Sequence, residues 1–128
     1  MTECDASNIE SRTEAAAKLS NSSGATVLLK GKPSMVFNPD GECCLIPTGN
    51  SGLATGGSGD VLTGITSSLM AQGLNPYEAA LLGAYVHGLS ADIAIENSSE
   101  RSLIPSDVIS SLGRAFRTIE NGKQSNQL

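Results

Sequence analysis

Residues 47–64 constrain this chain more than any other stretch. They read PTGNSGLATGGSGDVLTG and lie between a hydrophobic strand pattern and a hydrophobic helix pattern. Gly56, Gly57 and Gly59 put no side chain in the way, so backbone N–H groups there are free to close around an anion. A helix beginning near Ser58 adds its unpaired N–H groups and the positive end of its dipole. Asp60, the only carboxylate of the stretch, falls in the first helical turn, where a negative charge is favoured. With a phosphate chain in the glycine turn, Asp60 would face whatever lies beside that chain. The plainer readings are a loop that only turns the chain and an aspartate that only answers a helix dipole.

The chain has 128 residues, enough for one small domain, but carries no Trp, two Phe, two Tyr and 14 Gly. That composition suits close backbone packing better than a large aromatic core. A net charge of −5 without a basic run argues against nucleic acid and anionic membrane as partners. No apolar run approaches the roughly 20 residues of a membrane span, and no signal-peptide pattern opens the chain. Cys4, Cys43 and Cys44 lack C-x-x-C spacing, and with the single His87 they make no zinc site. No metal ligand is assigned, and a reduced, cytoplasmic setting is the simplest expectation.

Along the chain, residues 1–10 are polar and aperiodic, and are expected to be disordered. Ser11 and Glu14 have capping-box spacing before Ala15, Ala16, Ala17 and Leu19, which predicts a short helix ending near Gly24. Residues 25–30 form a continuous apolar run, expected as a strand buried on both faces of a parallel sheet. Residues 34–37 and 42–46 flank Asn38, Pro39, Asp40 and Gly41, a turn signal that predicts a β-hairpin at a sheet edge. A helix is predicted over 58–72 with Val61, Leu62, Ile65 and Leu69 inward and Gly73 as its C-terminal cap. Asn75, Pro76 and Glu78 open a largely apolar helix to about residue 96. A last helix from Pro105 carries Val108, Ile109, Leu112, Phe116 and Ile119 inward, and 121–128 are expected as a disordered tail. A two-sided strand and an almost wholly apolar helix want more cover than this pattern offers. The expectation is a single partial domain over 1–128, the C-terminal part of a larger one, with a homo-oligomer as the alternative.

Four ordered blocks carry a resemblance. They are VLLKG at 27–31, TGNSGLATGGSGDVLTGI at 48–65, AALLGAYVHGLSAD at 79–92 and SLIPSDVI at 102–109. Together they resemble the ADP/ATP-dependent NAD(P)H-hydrate dehydratases, which have a ribokinase-like α/β fold. The resemblance implies the C-terminal portion of that fold: a buried strand, a β-hairpin and then three helices. It implies dehydration of hydrated NAD(P)H to NAD(P)H, with ADP or ATP and Mg²⁺. It also implies that the substrate hydroxyl is phosphorylated and then leaves, which makes chemical sense because hydroxide is a poor leaving group and phosphate a good one. Asp60 matches the family's catalytic carboxylate, which takes the hydroxyl proton and lies against the substrate. Lys30, Gly31, Lys32, Pro33 and Ser34, with Gly56, Gly57, Ser58 and Gly59, match its nucleotide-contacting positions. Asn50 is a further substrate-side candidate. His87 reads either as a core histidine or as lining the adenine side, while Asp92, Cys43 and Cys44 read as structural. Family members are considerably longer, and their N-terminal half supplies most of the parallel sheet and much of the hydrated-cofactor site. Two other readings stay open: a ribokinase-like kinase of a vitamin precursor or sugar, and a non-catalytic truncated nucleotide-binding chain.

Overall fold

A computed structural model describes residues 8–125, so Cys4 and the last three residues lie outside the described part. Helix α1 (Ile9–Ser23) is capped by Asn8, whose Oδ1 accepts from the N–H groups of Glu10 and Ser11 at 2.9 and 3.4 Å. It ends at Gly24 in the left-handed region, with φ 72°. The helix therefore starts before the expected Ser11–Glu14 box, because Asn8 offers an earlier cap. Residues 9 and 10, expected as disordered, are its first turn.

Three short strands follow: β1 (Val27–Leu29), β2 (Ser34–Phe37) and β3 (Cys43–Ile46). They form an antiparallel sheet in the order β1-β2-β3. The β2–β3 hairpin pairs Phe37 with Cys43 and Ser34 with Ile46. Its turn works as the sequence predicts. Asn38 Oδ1 accepts from the N–H groups of Asp40 and Glu42, both at 3.0 Å, and Gly41 has φ 93°. β1 departs from expectation. Only three residues pair, all are half-buried, and the partner is antiparallel β2. Residues 30–33 are too short a connection to carry the chain back for a parallel crossover. The other edge of β1 has no strand beside it among the described residues.

Helix α2 (Ser58–Ala71) is followed by Gly73 at φ 105°. Helix α3 (Pro76–Ala94) opens with the full capping box: Asn75 accepts from the Glu78 N–H, and Glu78 accepts from that of Asn75. A 3-10 turn (Ile95–Asn97) extends it, and α4 (Pro105–Ser125) closes the described chain. Residues 121–125, expected in a disordered tail, continue α4. One core unites the sheet with α2 and α3 through Val36, Ile46, Leu62, Ala80 and Ala84. A second packs α3 against α4 through Val86, Ile93 and Ala115. Helix α3 is thus covered on several sides, as its apolar sequence demands. On α4, Val108, Ser111 and Ala115 are buried, with Leu112 and Phe116 beside them. Ile109, expected inward, is 54% exposed because it falls one position off that stripe.

Two glycines set how closely other segments approach α3. A Cβ on Gly83 would lie 2.7 Å from Thr66 Oγ1 on α2. One on Gly88 would lie 2.6 and 2.7 Å from the Thr48 carbonyl carbon and oxygen. Backbone atoms cannot swing aside, so Gly88→Ala must push residues 47–53 off the helix. The expected cost is about 1–3 kcal/mol, the range for overpacking a filled site. Gly113 in α4 has nothing within 4 Å of its Cβ position. Gly113→Ala is expected to stabilise by about 0.5–1 kcal/mol. Urea unfolding of both variants checks the contrast, and a Gly88→Ala chain as stable as the parent would remove the contact from its assigned role.

Candidate functional site

The glycine turn and the start of α2 take the predicted form. Gly57 is the helix N-cap at φ 91°, and no side chain caps the helix. A Cβ on Gly57 would also lie 3.1 Å from Pro105 Cγ, so space and conformation both select glycine there. The Ser58 N–H turns back to the Thr55 carbonyl at 3.3 Å. The N–H groups that follow have no intrahelical acceptor by the geometry of a helix start. Lys30, at the end of β1, lies over this point: its Nζ is 3.1 Å from where a Cβ on Gly59 would stand. Two residues 29 positions apart therefore meet as an ammonium group and the positive end of a helix. That pairing of like charge is unfavourable by itself, and an anion placed there would relieve it.

The segment from Lys30 to Ser34 is folded against the same region. Ser34 Oγ accepts from the Gly31 N–H at 3.4 Å and donates to the Gly31 carbonyl at 3.2 Å. Arg12 Nη2 donates to the Lys30 carbonyl at 2.9 Å, tying the segment to α1. With the 47–54 segment it lines a cavity of about 600 Å³. All of Lys30, Gly31, Lys32, Pro33 and Ser34 line this cavity, as do Asn50 and His87. A cavity of that size suits a small ligand. A second cleft, between β1 and α2, shares Lys30 and also takes in Gly59. Gly56 and Gly57 line none of these hollows.

Asp60 is placed differently. It is exposed in the first turn of α2. It stands at a third cleft, about 550 Å³, between α2 and α4, whose walls are largely apolar side chains such as Ile65, Leu112 and Phe116. The candidate base and the candidate nucleotide residues thus share one helix end but open onto different hollows. Among the described residues, no group of three His, Cys, Asp or Glu side chains is arranged to hold a metal ion.

Four hydrogen bonds fix the 48–52 segment, and three of them lie beyond what the residue pattern predicts. Asn50 caps the 3-10 turn Ser51–Leu53: its Oδ1 accepts from the Gly52 N–H at 3.0 Å. Asp92 on α3 accepts from Asn50 Nδ2 and from the Gly49 N–H, both at 2.9 Å. Thr48 Oγ1 donates to the Tyr85 carbonyl at 2.8 Å. A single sequence holds no signal that pairs residues about forty positions apart. The glycines at 83 and 88 inside an apolar helix are the available hint of a close approach.

His87 is buried, with Nε2 3.1 Å from the Ser58 carbonyl oxygen and 3.3 Å from Ser58 Oγ. Burial lowers its pKa below the ordinary 6.5, with the Lys30 charge acting in the same direction and the Ser58 carbonyl opposing both. Above about pH 6.5 the ring is neutral folded and unfolded alike. Below that, the unfolded chain takes the proton first. The stability carried by neutral His87 is therefore lost as pH falls from about 6.5 through the lower folded value. His87→Gln keeps an N–H donor for the Ser58 carbonyl and removes the titration. Urea midpoints at pH 7.5, 6 and 5 should fall more steeply for the parent chain than for the variant. Parallel curves would exclude His87 as a source of the pH dependence.

With this geometry in view, comparisons with known proteins fix the family. The family described as NAD(P)H-hydrate dehydratase matches residues 1–114. The ADP-dependent (S)-NAD(P)H-hydrate dehydratase of Neisseria meningitidis is 51% identical over 87 residues, covering 68% of this chain and 29% of that protein. The bifunctional NAD(P)H-hydrate repair enzyme of Moorella thermoacetica is 45% identical over 111 residues, covering 87% of this chain and 21% of that protein. The ADP/ATP-dependent NAD(P)H-hydrate dehydratase of Bacillus subtilis, co-crystallized with ATP/Mg²⁺, superimposes with a TM-score of 0.79 at 32% identity, over 85% of this chain and 39% of that one. A ribokinase-like superfamily protein of Enterococcus faecalis superimposes at 0.70 with 30% identity, over 87% of this chain and 38% of that one. The chain is thus part of a ribokinase-like α/β domain, spanning well under half the length of these relatives. It belongs to the NAD(P)H-hydrate dehydratase family.

Proposed function

We propose that this chain carries the nucleotide-holding and proton-abstracting part of an ADP- or ATP-dependent dehydratase acting on hydrated NAD(P)H. The observation that carries the reading is the convergence of Lys30 Nζ with the uncapped start of α2 over Gly59. The Lys30–Ser34 segment would hold the nucleotide from one side of the cavity. The α2 N–H groups and Lys30 would face its phosphates, with no side chain at Gly59 between them. The substrate hydroxyl then attacks the terminal phosphoryl group. Asp60 takes the hydroxyl proton as the O–P bond forms and the nucleotide leaves one phosphate shorter. In the second step the ring C–O bond breaks, inorganic phosphate departs with the electron pair, and loss of a proton from the neighbouring ring carbon restores the double bond.

Mg²⁺ fits this site poorly as a protein-held ion. Near the turn the chain offers one carboxylate, Asp60, and no ligand cluster. An ion that arrives with nucleotide phosphates needs no more protein than that. Among the described residues, no helix is long and apolar enough to cross a membrane. A cytoplasmic enzyme, in a homo-oligomer or within a longer chain, fits the open edge of β1. A second reading, a nucleotide-binding chain without catalysis, draws on the opening of Asp60 away from the larger cavity.

The two readings separate on Asp60→Asn. The substitution keeps size and removes the base, so turnover of hydrated NADH with ADP or ATP should fall by about 10²–10⁴-fold, the range for a lost general acid or base. Nucleotide affinity should change little. Restored dihydronicotinamide absorbance reports turnover, and calorimetry reports binding. Near-normal turnover in the variant would remove Asp60 from the chemistry. Nucleotide binding without dehydration by the parent chain would favour the second reading.

A further inference from the structure

Asn50 and Asp92 form a small network whose orientation is fixed by hydrogen bonding alone. The Asn50 oxygen must face the Gly52 N–H, and its nitrogen must face the Asp92 carboxylate. A flipped amide would set oxygen against carboxylate and nitrogen against an N–H, breaking both bonds. Asp92 uses its second oxygen on the Gly49 N–H. The Asn50 nitrogen still carries one more proton, with no acceptor among the described residues, and Asn50 lines the same cavity as Lys30 to Ser34. The carboxylate sits on α3 one turn beyond Gly88, where Thr48 lies against the helix. Residues 85, 88 and 92 thus present one face to the loop.

We propose that Asp92 is a positioning residue that holds the Asn50 amide with its free N–H toward the cavity, as a donor to the bound nucleotide. This departs from the hydrated-cofactor side first expected for Asn50. It rests on the nucleotide reading of the cavity. A donor oriented by a carboxylate cannot rotate away, so it meets an acceptor oxygen at little ordering cost. A loop held only by packing would leave the amide free to turn.

The residues can be exchanged to separate orientation from donation. Asp92→Asn alone sets nitrogen against N–H somewhere in the network, and Asn50→Asp alone sets carboxylate against carboxylate. The double exchange rebuilds every bond. The carboxylate then at position 50 accepts from the Gly52 N–H, the amide then at position 92 donates across to it, and that amide's oxygen accepts from Gly49. Net charge is unchanged, but no N–H at position 50 faces the cavity.

The experiment measures melting temperature and ADP and ATP affinity for the parent chain, both single variants and Asn50→Asp/Asp92→Asn. The single variants should melt lower and bind at least about tenfold more weakly, as expected for a lost charge-assisted hydrogen bond. The double variant should recover the parent melting temperature and keep the affinity loss, also at high salt where carboxylate–phosphate repulsion is screened. Recovery of affinity together with stability would overturn the proposal and leave a purely structural network. A parent chain that binds neither nucleotide overturns the nucleotide reading and the donation with it. In that case, proton exchange of the Asn50 side-chain amide still judges the clamp. One slow and one fast proton, both fast in Asp92→Asn, support it, and two protons exchanging alike refute it.

Discussion

The seat of residues 47–53 on α3 is the contact from which the rest of the site takes its position. It exists because Gly88 has no side chain: Thr48 occupies the place a Cβ would take. From that seat the chain runs through one 3-10 turn into the glycine turn and then α2. A displacement at Thr48 therefore moves Gly57, the start of α2 and the cleft beneath Lys30 together. The seat is reinforced at both ends, by Thr48 on the Tyr85 carbonyl and by Asp92 on Gly49. The helix that receives it is anchored independently, by the Asn75–Glu78 capping box and by two hydrophobic clusters. A well-packed helix carrying a tightly seated loop fixes where the start of α2 and Lys30 meet.

What could be read from the residues follows the range of the forces involved. The α3 capping box, the Asn38–Gly41 turn and the glycine N-terminus of α2 are local, and their chemistry lies within four or five residues. Each forms as its residues predict. The expected stripe on α4 is one position too wide at Ile109, because which side of a helix is covered depends on its neighbours. β1 has the composition of a strand buried on both faces but is half-covered here. Its apolar run states what the strand wants, not what lies beside it. The meeting of Lys30 with Gly59 and of Asn50 with Asp92 spans 29 and 42 positions, beyond any local signal. The family resemblance points to the first of these meetings and not to the second.

Helix α2 stands between two hollows, one toward β1 and one toward α4, and both have apolar walls. The other edge of β1 also has no strand beside it among the described residues. The chain spans 39% of the solved relative with which it superimposes, so that fold has considerable further mass to place. Asp60 lies at the rim of one such hollow. The role proposed for Asp60 would therefore depend on what closes that side, whereas Lys30 and Asn50 both line a cavity formed within the described residues.

Helix α2 starts at a glycine cap without a capping side chain, which costs only a few tenths of a kcal/mol relative to a Ser or Asp cap. An anion seated over Gly59 would supply that missing acceptor. Occupancy and folding are then two views of one equilibrium: ligand present at about a hundredfold above its dissociation constant adds about 2.7 kcal/mol to the folded state. For a chain with this much uncovered surface, such a gain is a large share of total stability. On the proposed function, the helix start left bare for an anion would also be where the protein gains part of its own firmness from the molecule it holds.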